Sequence, residues 1–493
     1  MLNRRSDEEV YEKIKKSENA KYIDKFAILA SNFLRNYKTM GYGVDGFSIL
    51  RDKTKNDRDL LFIDIIEEIY KHYQKELVRI GAVDYEDMIN ESARYLKEVK
   101  ELGNKLPFKY IFVDEYQDIS QQRFNLAKTL SEVTDAKIVA VGDDWQSIFA
   151  FSGSDITLFT EFKKQMGYAA ELKITHTYRN AQELIDIAGD FIQRNETQIK
   201  KSLISPKSIQ KPIVIFTYCN DYKKNAIPGV KGVLHEKAKV ISNVIDKIVQ
   251  VHGKKKSILL LGRYGFDGER LGQTEFFSYS EGFITCHSQP DVGVHFLTTH
   301  SSKGLGYDNV IIINAEHGVY GFPCQIEDDP VMRFVIKEDK GISFSEERRL
   351  FYVAMTRTKN RVFIVAPEKN PSSFVVELIE NYKNITVHGE LSKQLTETKK
   401  DRRYCPLCGF PLQLRVNKAY GLRLYICTNE PELCDFMTND IRGNGNIYCC
   451  DLCDGYMIVK KKKDKNQFFL GCTNYKDNGT GCNNAVPINN NDI

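Results

Sequence analysis

Short apolar runs alternate with amphipathic segments along most of the chain, after an N-terminal stretch with a helical pattern. In residues 59–80 and 84–99, apolar side chains recur at three- and four-residue spacing, which predicts two helices. Strands are predicted for three apolar runs, at 109–115, 136–143 and 171–178. Helices are predicted for the segments 120–133 and 180–194. This alternation is typical of a parallel α/β sheet.

A second alternation of the same kind follows near residue 205. Five more apolar runs predict strands, at 211–218, 256–264, 294–300, 309–315 and 361–367. Helices fit the segments 235–250 and 345–357, and the polar stretches 369–374 and 391–403 resemble linkers. The pattern therefore predicts two consecutive α/β units.

The C-terminal tail contains an internal repeat of cysteines. The spacing Cys405-x2-Cys408-x18-Cys427 recurs 45 residues later, which indicates two copies of one module. Cys434 and Cys482 close the two copies. Clustered Cys-x2-Cys turns favour metal over disulfides, and four thiolates suit tetrahedral zinc, with iron–sulfur ligation as the alternative. The predicted zinc ligands are Cys405, Cys408, Cys427 and Cys434, then Cys450, Cys453, Cys472 and Cys482, where the offset selects Cys450 over its neighbour Cys449.

Composition narrows the class of protein. The 493 residues suit two to four domains, with 42% hydrophobic and 28% charged residues. No run is long enough to span a bilayer, and the charged N-terminus is unlike a signal peptide, so a cytoplasmic, nucleoid-associated protein without a membrane partner is expected. From residue 399 onward there are 14 Lys and Arg against 10 Asp and Glu, a weak indication of a nucleic-acid partner.

Acidic and polar side chains follow several predicted strands. Asp114 and Glu115 end the first of these strands, at the sheet edge where parallel α/β folds bind ligands. An Asp at this edge can hold the magnesium of a nucleoside triphosphate, and a Glu can orient or deprotonate the attacking water. Further polar clusters lie at 142–155, 177–180 and 298–310.

Five segments in order resemble the motifs of UvrD/Rep-like superfamily 1 DNA helicases, and of the helicase IV type in particular. They are VDEYQD (113–118, Walker B), GDDWQSIFAFSGSD (142–155), TYRN (177–180), THSSKGL (299–305) and EERRLFYVAMTR (346–357). The resemblance implies two RecA-like lobes, the first incomplete, in an α/β fold. Its implied domains are a helical insert (1–103), the rest of the first lobe (104–204), the second lobe (205–385), a linker (386–404) and zinc ribbons at 405–440 and 447–488.

The resemblance also implies residue roles. Asp114 would bind Mg²⁺, Glu115 would be the catalytic base, and Gln146 would sense the γ-phosphate of ATP. Arg179 and Arg357 would contact that phosphate from the two sides of the cleft. The implied DNA-contacting residues are Phe149, Phe151, Thr298, His300 and Lys303, with Phe151 the stronger stacking candidate.

The implied function is that of an ATP-dependent helicase or translocase moving 3′ to 5′ on single-stranded or partly duplex DNA, with DNA repair among its possible pathways. The cysteine modules resemble the zinc ribbons of bacterial type I topoisomerases. In the modules of this chain, the residues that could stack on bases are Tyr425, Phe436, Phe468, Phe469 and Tyr475. The alternative is a zinc-dependent, single-stranded-DNA-binding accessory protein with a degenerate ATPase module.

The chain departs from the family pattern in its phosphate-binding loop. The string G-x-x-x-x-G-K-[ST] of Walker A does not occur in the sequence. The chain is therefore expected to begin near the helical insert, to hydrolyse ATP poorly alone, and to leave a gap between the Walker B strand and the next. Three explanations fit the missing loop. The chain is a fragment of a longer helicase, or a second chain supplies the Walker A lobe, or the motor is degenerate. Gly306 also stands where the family usually has Glu.

Overall fold

The computed structural model describes residues 20–101, 106–221, 232–280, 282–326, 328–337, 341–392, 403–416, 423–429, 434–439, 449–453, 455–462, 467–476 and 481–488. Residues 1–19 of the predicted helical insert and 393–402 of the predicted linker lie outside these ranges. The chain divides into two compact units. The first contains residues 1–55, 60–327 and 333–396, and the second contains residues 56–59, 328–332 and 397–493.

The N-terminal region is helical, as its pattern predicts. Within residues 20–101 the structure has four helices, α1 (Ala20–Thr39), α2 (Gly46–Asp52), α3 (Asp57–Ile80) and α4 (Tyr85–Glu101). Aromatic side chains fill the space between them, and the buried rings of Tyr37 and Phe47 stack with centroids 4.3 Å apart. Lys38 is buried, lies over the Tyr73 ring at 5.2 Å, and pairs with Asp84 and Asp87 at the start of α4. The start of α4 is thereby fixed against α1.

The small sheet consists of two parallel strands, β1 (Tyr110–Val113) and β2 (Lys137–Ala140), joined through helix α5 (Gln121–Thr134). Tyr110 lies opposite Lys137, and the pairing continues in register to Val113 and Ala140. The expected gap between the Walker B strand and the next strand is therefore wrong. Both strands satisfy each other's backbone groups directly, so a further strand could pair only at an outer edge of this sheet.

The strand predicted for residues 171–178 is also absent. This segment contains an isolated bridge between His176 and Ile204 and no ladder. Leu172 and Ile174 are 96% and 79% exposed. The alternating sequence favours an extended backbone, but a strand also needs a neighbour to pair with, and the described residues supply one bridge.

The large sheet has eight strands in the order β10-β3-β9-β8-β4-β7-β6-β5. Its five predicted strands are β3 (Ile213–Tyr218), β4 (Ile258–Gly262), β7 (Val294–Thr298), β8 (Asn309–Ile312) and β9 (Val362–Pro367). These five pair in parallel, whereas the hairpin β5 (Phe277–Ser280) and β6 (Phe283–Cys286) adds antiparallel strands at one edge. β10 (Ile385–His388) closes the other edge in parallel with β3.

Helices cover both faces of the large sheet and create two apolar cores. One core contains side chains of α8 (Gln182–Gln193), α11 (Ser345–Met355) and α12 (Ser373–Asn381), together with Trp145. The other contains side chains of α9 (Gly232–His252) and α10 (Phe266–Gly272). β4, β8 and β9 are buried along their whole length, as expected for central parallel strands. The described residues also contain two very short helices, α6 (Thr157–Thr160) and α7 (Phe162–Met166), and four 3-10 helices, Tyr116–Asp118, Asp144–Gln146, Ala150–Ser152 and Pro330–Phe334.

The second unit contains two small antiparallel sheets of three strands each. The first comprises β11 (Leu412–Val416), β12 (Arg423–Cys427) and β13 (Met437–Thr438), and the second comprises β14 (Met457–Lys461), β15 (Phe468–Cys472) and β16 (Ala485–Pro487). The rings of Phe436 and Tyr456 meet edge to face, with centroids 5.2 Å apart. The mixed α/β class with a large parallel-rich sheet, a helical N-terminal region and two C-terminal cysteine modules is confirmed. Within the described ranges, no helix combines the length and apolar character needed to cross a bilayer.

Candidate active site and metal centres

Two exposed carboxylates stand at the carboxyl end of β1, where the sequence predicts a magnesium–nucleotide site. Asp114 follows the strand directly, and Glu115 adopts a left-handed backbone conformation with φ 49° and ψ 42°. This conformation costs an L-residue about 1–2 kcal/mol, and such strain clusters at functional sites. It lets the Glu115 amide donate to Asp114 Oδ1 at 2.8 Å while both side chains face solvent. The sheet edge thus presents oxygen ligands of the kind that Mg²⁺ prefers.

Gln146 joins the turn after β2 to the end of helix α11. Its amide nitrogen donates to Asp143 Oδ2 at 2.6 Å, and its amide oxygen accepts from Arg357 Nη2 at 3.3 Å. Trp145 anchors the turn, because its ring is buried and its indole nitrogen donates to a backbone carbonyl at 3.0 Å. Lys201 pairs with Asp143 and lies over the Trp145 ring at 4.4 Å. The position of Gln146 is therefore fixed from several directions.

Arg357 and Arg179 bring two positive charges to this turn. Arg357 is buried, and its Nε donates to the Val353 carbonyl at 2.9 Å. Burial and the nearby charge of Arg179 lower the pKa of Arg357 to about 10. Among the residues that the structure describes, no hydrogen bond or ion pair fixes the guanidinium of Arg179. Neighbouring cations favour an anion between or beside them, and guanidinium groups suit phosphate oxygens.

Gly306 lies beside Arg179. A Cβ atom added to Gly306 would be 3.4 Å from Arg179 Nε, which is an ordinary contact distance. The Glu that the family usually carries here would thus have its carboxylate next to Arg179. With glycine at this position, Arg179 stays open to an external anion.

Lys303, from the second α/β unit, lies largely buried in the cleft and contacts groups of the first α/β unit. Its ammonium pairs with Asp118, donates to the backbone carbonyl of Gln146 at 2.9 Å, and lies 3.6 Å from Glu115 Oε2. Burial raises the pKa of the Asp118 carboxyl, although the charge of Lys303 acts in the opposite direction. In the described part of the chain, Asp118 Oδ1 is buried and has no hydrogen-bond partner. Lys303 therefore links the THSSKGL segment to the VDEYQD and GDDWQSIFAFSGSD segments.

The predicted DNA-contacting residues form a cluster of rings near Lys303. His300 contacts Phe151 edge to face with centroids 5.4 Å apart, and it lies 6.1 Å from Phe149. Phe151 is 48% exposed, whereas Phe149 packs against the apolar core with Lys303 over its ring at 5.1 Å. Burial and the charge of Arg263 lower the pKa of His300 to about 4, so the imidazole is neutral at pH 7. Thr298 Oγ1 accepts from the Ser301 amide at 3.2 Å and stabilises the following turn.

The structure adds three residues that sequence reasoning did not assign. Asp118 lies within the VDEYQD segment and Glu346 begins the EERRLFYVAMTR segment, so both belong to motifs that the sequence identifies. Glu346 Oε1 accepts from the Ala150 amide at 3.1 Å, which ties α11 to the GDDWQSIFAFSGSD segment. Lys201 belongs to no motif, and nothing local in the sequence indicates its pairing with Asp143.

Each cysteine module brings four thiol sulfurs together. In the first, the Sγ distances are 3.6 Å for Cys405–Cys434 and 3.4 Å for Cys408–Cys427. A tetrahedral zinc with bonds of about 2.3 Å holds its sulfurs about 3.8 Å apart, whereas a disulfide needs about 2.05 Å. The second module is alike, and its Sγ distances are 3.6 Å for Cys450–Cys482 and 3.4 Å for Cys453–Cys472.

The surroundings of the sulfurs also suit thiolate ligands. Backbone amides donate to them, for example the Asn429 amide to Cys427 and the Asn474 amide to Cys472, both at 3.4 Å. Such bonds are typical of zinc knuckles because they stabilise negative sulfur. Both four-cysteine groups are thus compatible with one zinc ion each. Cys449 is exposed and outside the group, as the repeat offset predicts.

The candidate stacking aromatics of the modules separate into two classes. Tyr425 and Phe436 are buried within the first module, so neither offers a free face for stacking, and Phe469 is half-buried in the second. Tyr475 is exposed, with Lys460 over its ring at 5.2 Å, and Phe468 is half-buried with Lys461 at 5.9 Å. These two rings, each beside a cation, remain available in the second module.

Two regions of the chain match known protein families. Residues 6–167 match the UvrD/REP helicase N-terminal domain, and residues 283–369 match the UvrD-like helicase C-terminal domain. DNA helicase IV of Escherichia coli is 30% identical over 320 residues, covering 65% of this chain and 42% of that protein. ATP-dependent DNA helicase PcrA of Bacillus subtilis is 25% identical over 253 residues, covering 49% of this chain and 34% of that protein.

A probable DNA helicase of Mycoplasma pneumoniae is 25% identical over 299 residues, covering 60% of this chain and 50% of that protein. The aligned part of the chain therefore spans half or less of the length of each of these relatives.

Proposed function

Because the chain belongs to the UvrD-like family of superfamily 1 helicases, we propose that it carries much of the motor of an ATP-dependent DNA helicase moving 3′ to 5′ along a single strand. The convergence of Gln146, Arg179 and Arg357 supports the proposal best. Lys303 contacts the carbonyl of Gln146 and lies near Glu115, so the cationic group and the exposed carboxylates share one cleft. A cleft with cations on one side and carboxylates on the other suits a magnesium–nucleotide.

Each residue then has a distinct role. Asp114 offers a carboxylate for magnesium, which when bound neutralises the charge of the nucleotide phosphates. Glu115 accepts a proton from the attacking water. Gln146 contacts the γ-phosphate through an amide that Asp143 already orients. The guanidinium groups of Arg179 and Arg357 stabilise the negative charge that develops on that phosphate during transfer.

Single-stranded DNA is proposed to pass over the ring cluster. Phe151 stacks on a base, because its ring is half-exposed and has a neutral imidazole at its edge. Phe149, Thr298 and His300 hold that surface, and Lys303 connects it to the cleft. In the second unit, Tyr475 and Phe468 with their lysines add affinity for single strands.

We propose that the phosphate-binding loop reaches this cleft from outside these 493 residues, either from the rest of a longer helicase or from a second chain. The small sheet has room for it, since Phe112 on β1 is 74% exposed and Val139 on β2 is exposed on the same face. Leu172 and Ile174 add unpaired apolar surface. Exposed apolar side chains on one face of a two-stranded sheet favour a docking partner. Cytoplasmic location and a role in repair stay predictions.

The proposal is tested by ATP hydrolysis with and without oligo(dT). We expect the 493-residue chain alone to turn over slowly, and the chain mixed with the phosphate-loop segment of a UvrD-like helicase to show DNA-stimulated hydrolysis that Glu115→Gln removes. Fast hydrolysis by the chain alone that is lost in Glu115→Gln would disprove the need for a loop from outside the chain. Mixed protein without DNA-stimulated turnover would contradict the motor assignment.

The second candidate function is a zinc-dependent accessory protein that binds single strands without a motor. The exposed ring of Tyr475 beside Lys460, on a module with a complete four-cysteine group, favours it. The two functions separate in the same assay. An accessory protein binds oligo(dT) and shows no hydrolysis under any mixture.

A further inference from the structure

The first cysteine module has neighbours that lie far from it in the sequence. Residues 56–59 and 328–332 belong to the second compact unit together with the C-terminal tail. Gly409 follows the turn that carries Cys405 and Cys408, and a Cβ atom added to Gly409 would be 2.9 Å from Pro330 Cγ. A distance this short leaves no room for a side chain, so the turn and the proline ring are in close contact. The surroundings of the first four-cysteine group therefore include residues from outside the tail.

An ion pair joins these two distant segments. Arg58 Nη2 donates to Asp329 Oδ2 at 2.7 Å, and Asp329 Oδ1 accepts from the Val331 amide at 3.1 Å. At the start of α3, Asn56 Oδ1 accepts from the Arg58 amide at 2.9 Å, as a helix-capping side chain does. Each partner of the ion pair is therefore also held by a local hydrogen bond, which restricts where the guanidinium of Arg58 can lie.

The other half of the Arg58 guanidinium lacks an acceptor. Its Nη1 is buried and has no hydrogen-bond partner within the described ranges of the chain. Buried N–H groups are normally paired, so an unpaired one asks for an explanation. Burial acts to lower the pKa of Arg58, but Asp329 and then the sulfur of Cys408 act to raise it, and the net direction is upward. Arg58 therefore lies within electrostatic reach of Cys408, whose sulfur is negative when it binds zinc.

The two modules differ in the groups that face their sulfurs. Zinc with four thiolates carries a net negative charge, which needs donors or cations nearby when the sulfurs are buried. In the second module these donors come from the tail itself: Asn484 Nδ2 donates to Cys450 Sγ at 3.2 Å, and Asn474 Nδ2 donates to Cys453 Sγ at 3.5 Å. Those amides are neutral dipoles. Near the first module, Arg58 supplies a full positive charge from the N-terminal helical region.

We propose that Arg58 is the counter-cation of the first zinc centre, so that a residue of the N-terminal helical region completes a metal site in the tail. Asp329 positions Arg58 by holding Nη2, and Nη1 is left for the side of the sulfurs. Arginine suits this role because its guanidinium stays charged and can serve two anions at once. The second centre depends on groups of the tail alone. This role of Arg58 is independent of the proposed helicase function.

The test measures the zinc affinity of each site in the full chain, by competition with a fluorescent zinc chelator. Cys453→Ser disables the second site and leaves the first, whereas Cys408→Ser does the reverse. Arg58→Met is made in both backgrounds, because methionine keeps much of the apolar stem and removes the charge. Arg58→Lys keeps the charge and serves as the conservative variant. Arg415→Met is the matched control, because Arg415 is an exposed arginine on β11 of the first module.

We expect Arg58→Met to weaken zinc binding at the first site by about tenfold or more, the usual effect of losing a group that supports metal ligands without touching the metal. The second site keeps its affinity, which also shows that the variant chain still folds. Arg58→Lys retains most of the first-site affinity, and Arg415→Met retains all of it. Co²⁺ bound in place of zinc gives the same thiolate absorption in Arg58→Met as in the unmodified chain, because the four sulfur ligands remain.

A purely structural role of the ion pair gives a different result, which Asp329→Asn reveals. This change removes the carboxylate and leaves the positive charge of Arg58, so first-site zinc binding should weaken less than in Arg58→Met. If Arg58 served only to pair with Asp329, both changes would lower the melting temperature alike and leave the zinc affinity of the first site unchanged. That result would overturn the proposal. Equal weakening of both zinc sites in Arg58→Met, or an equal loss in Arg415→Met, would overturn it as well.

Discussion

Replacing Lys303 by methionine removes the positive charge at the centre of the cleft and keeps most of the side-chain volume. Lys303 pairs with Asp118 and donates to the Gln146 carbonyl at 2.9 Å. After the change, a buried carboxylate remains without its cation, and its Oδ1 already has no partner among the described groups. The variant should therefore be less stable, and the loss should depend on pH.

The size of the loss follows from the choices open to Asp118. A buried charge stripped of its partner costs about 3–5 kcal/mol. Alternatively, Asp118 takes up a proton, which costs about 1.4 kcal/mol for each pH unit between its ordinary pKa and the solution pH, or about 4 kcal/mol at pH 7. Burial raises the pKa of this carboxyl and reduces that cost. We expect a loss of about 3 kcal/mol at pH 7 and about 1 kcal/mol at pH 5.

The sign of the pH effect is fixed by linkage. In Lys303→Met, the pKa of Asp118 in the folded state is higher than in the unfolded state. Its protonated form is then favoured by folding, and this contribution is lost as the pH rises. The variant therefore recovers stability relative to the unmodified chain as the pH falls from 7 to 5.

Urea unfolding followed by tryptophan emission is the assay. The chain has one tryptophan, Trp145, which is buried next to Gln146 in the same turn, so its signal reports the cleft. Lys359→Met is the control, because Lys359 is an exposed lysine of the second α/β unit. In the double variant Lys303→Met/Asp118→Asn, most of the loss should disappear, giving a coupling of about 2 kcal/mol or more. A loss below about 1 kcal/mol at pH 7, or an equal loss with Asp118→Asn present, would refute this reasoning.

Three further outcomes are expected. Metal analysis should find two zinc ions per chain, with one lost in Cys408→Ser and one in Cys453→Ser, and an unchanged zinc content in either variant would contradict the ligand sets. In the unmodified chain, the folded pKa of His300, about 4, lies below its unfolded value, so stability should fall by up to about 3 kcal/mol as the pH drops from about 6.5 to about 4. His300→Gln should remove this part of the acid-induced loss of stability. Gly306→Glu should stabilise the fold by about 0.5–1 kcal/mol through Arg179, and the gain should vanish in Arg179→Ala.

Much of the secondary structure could be predicted because local patterns determine it. The continuous apolar runs of β4 and β9 read as buried strands, and the periodic segment of α3 as a helix. The hairpin of β5 and β6 was missed because its apolar residues alternate with Ser and Thr in runs of four. Residues 171–178 have a convincing strand pattern, but pairing depends on a neighbour that the pattern does not contain.

The candidate site likewise contains residues that the sequence identifies and contacts that only the folded chain creates. Asp114, Gln146 and Arg357 each belong to a motif of consecutive residues, so the sequence alone identifies them as candidate site residues. The ion pair between Lys303 and Asp118 joins positions 185 residues apart, and only the packing of the first α/β unit against the second brings them together. Lys201 has no motif at all, and its pairing with Asp143 follows from the return of the chain after α8.

Nucleotide discrimination is the most direct measurement of the central claim, that Arg179 and Arg357 with Gln146 form the γ-phosphate side of an ATP site. The chain supplied with a phosphate-loop segment should bind Mg-ATP at least about tenfold more tightly than Mg-ADP by calorimetry, a difference of about 1.4 kcal/mol. Arg179→Ala should remove that preference. Arg361→Ala, which changes a half-buried arginine of the second α/β unit bonded to backbone carbonyls, should retain it. Equal affinity for both nucleotides in the unmodified protein, or a preference that survives Arg179→Ala, would contradict the account.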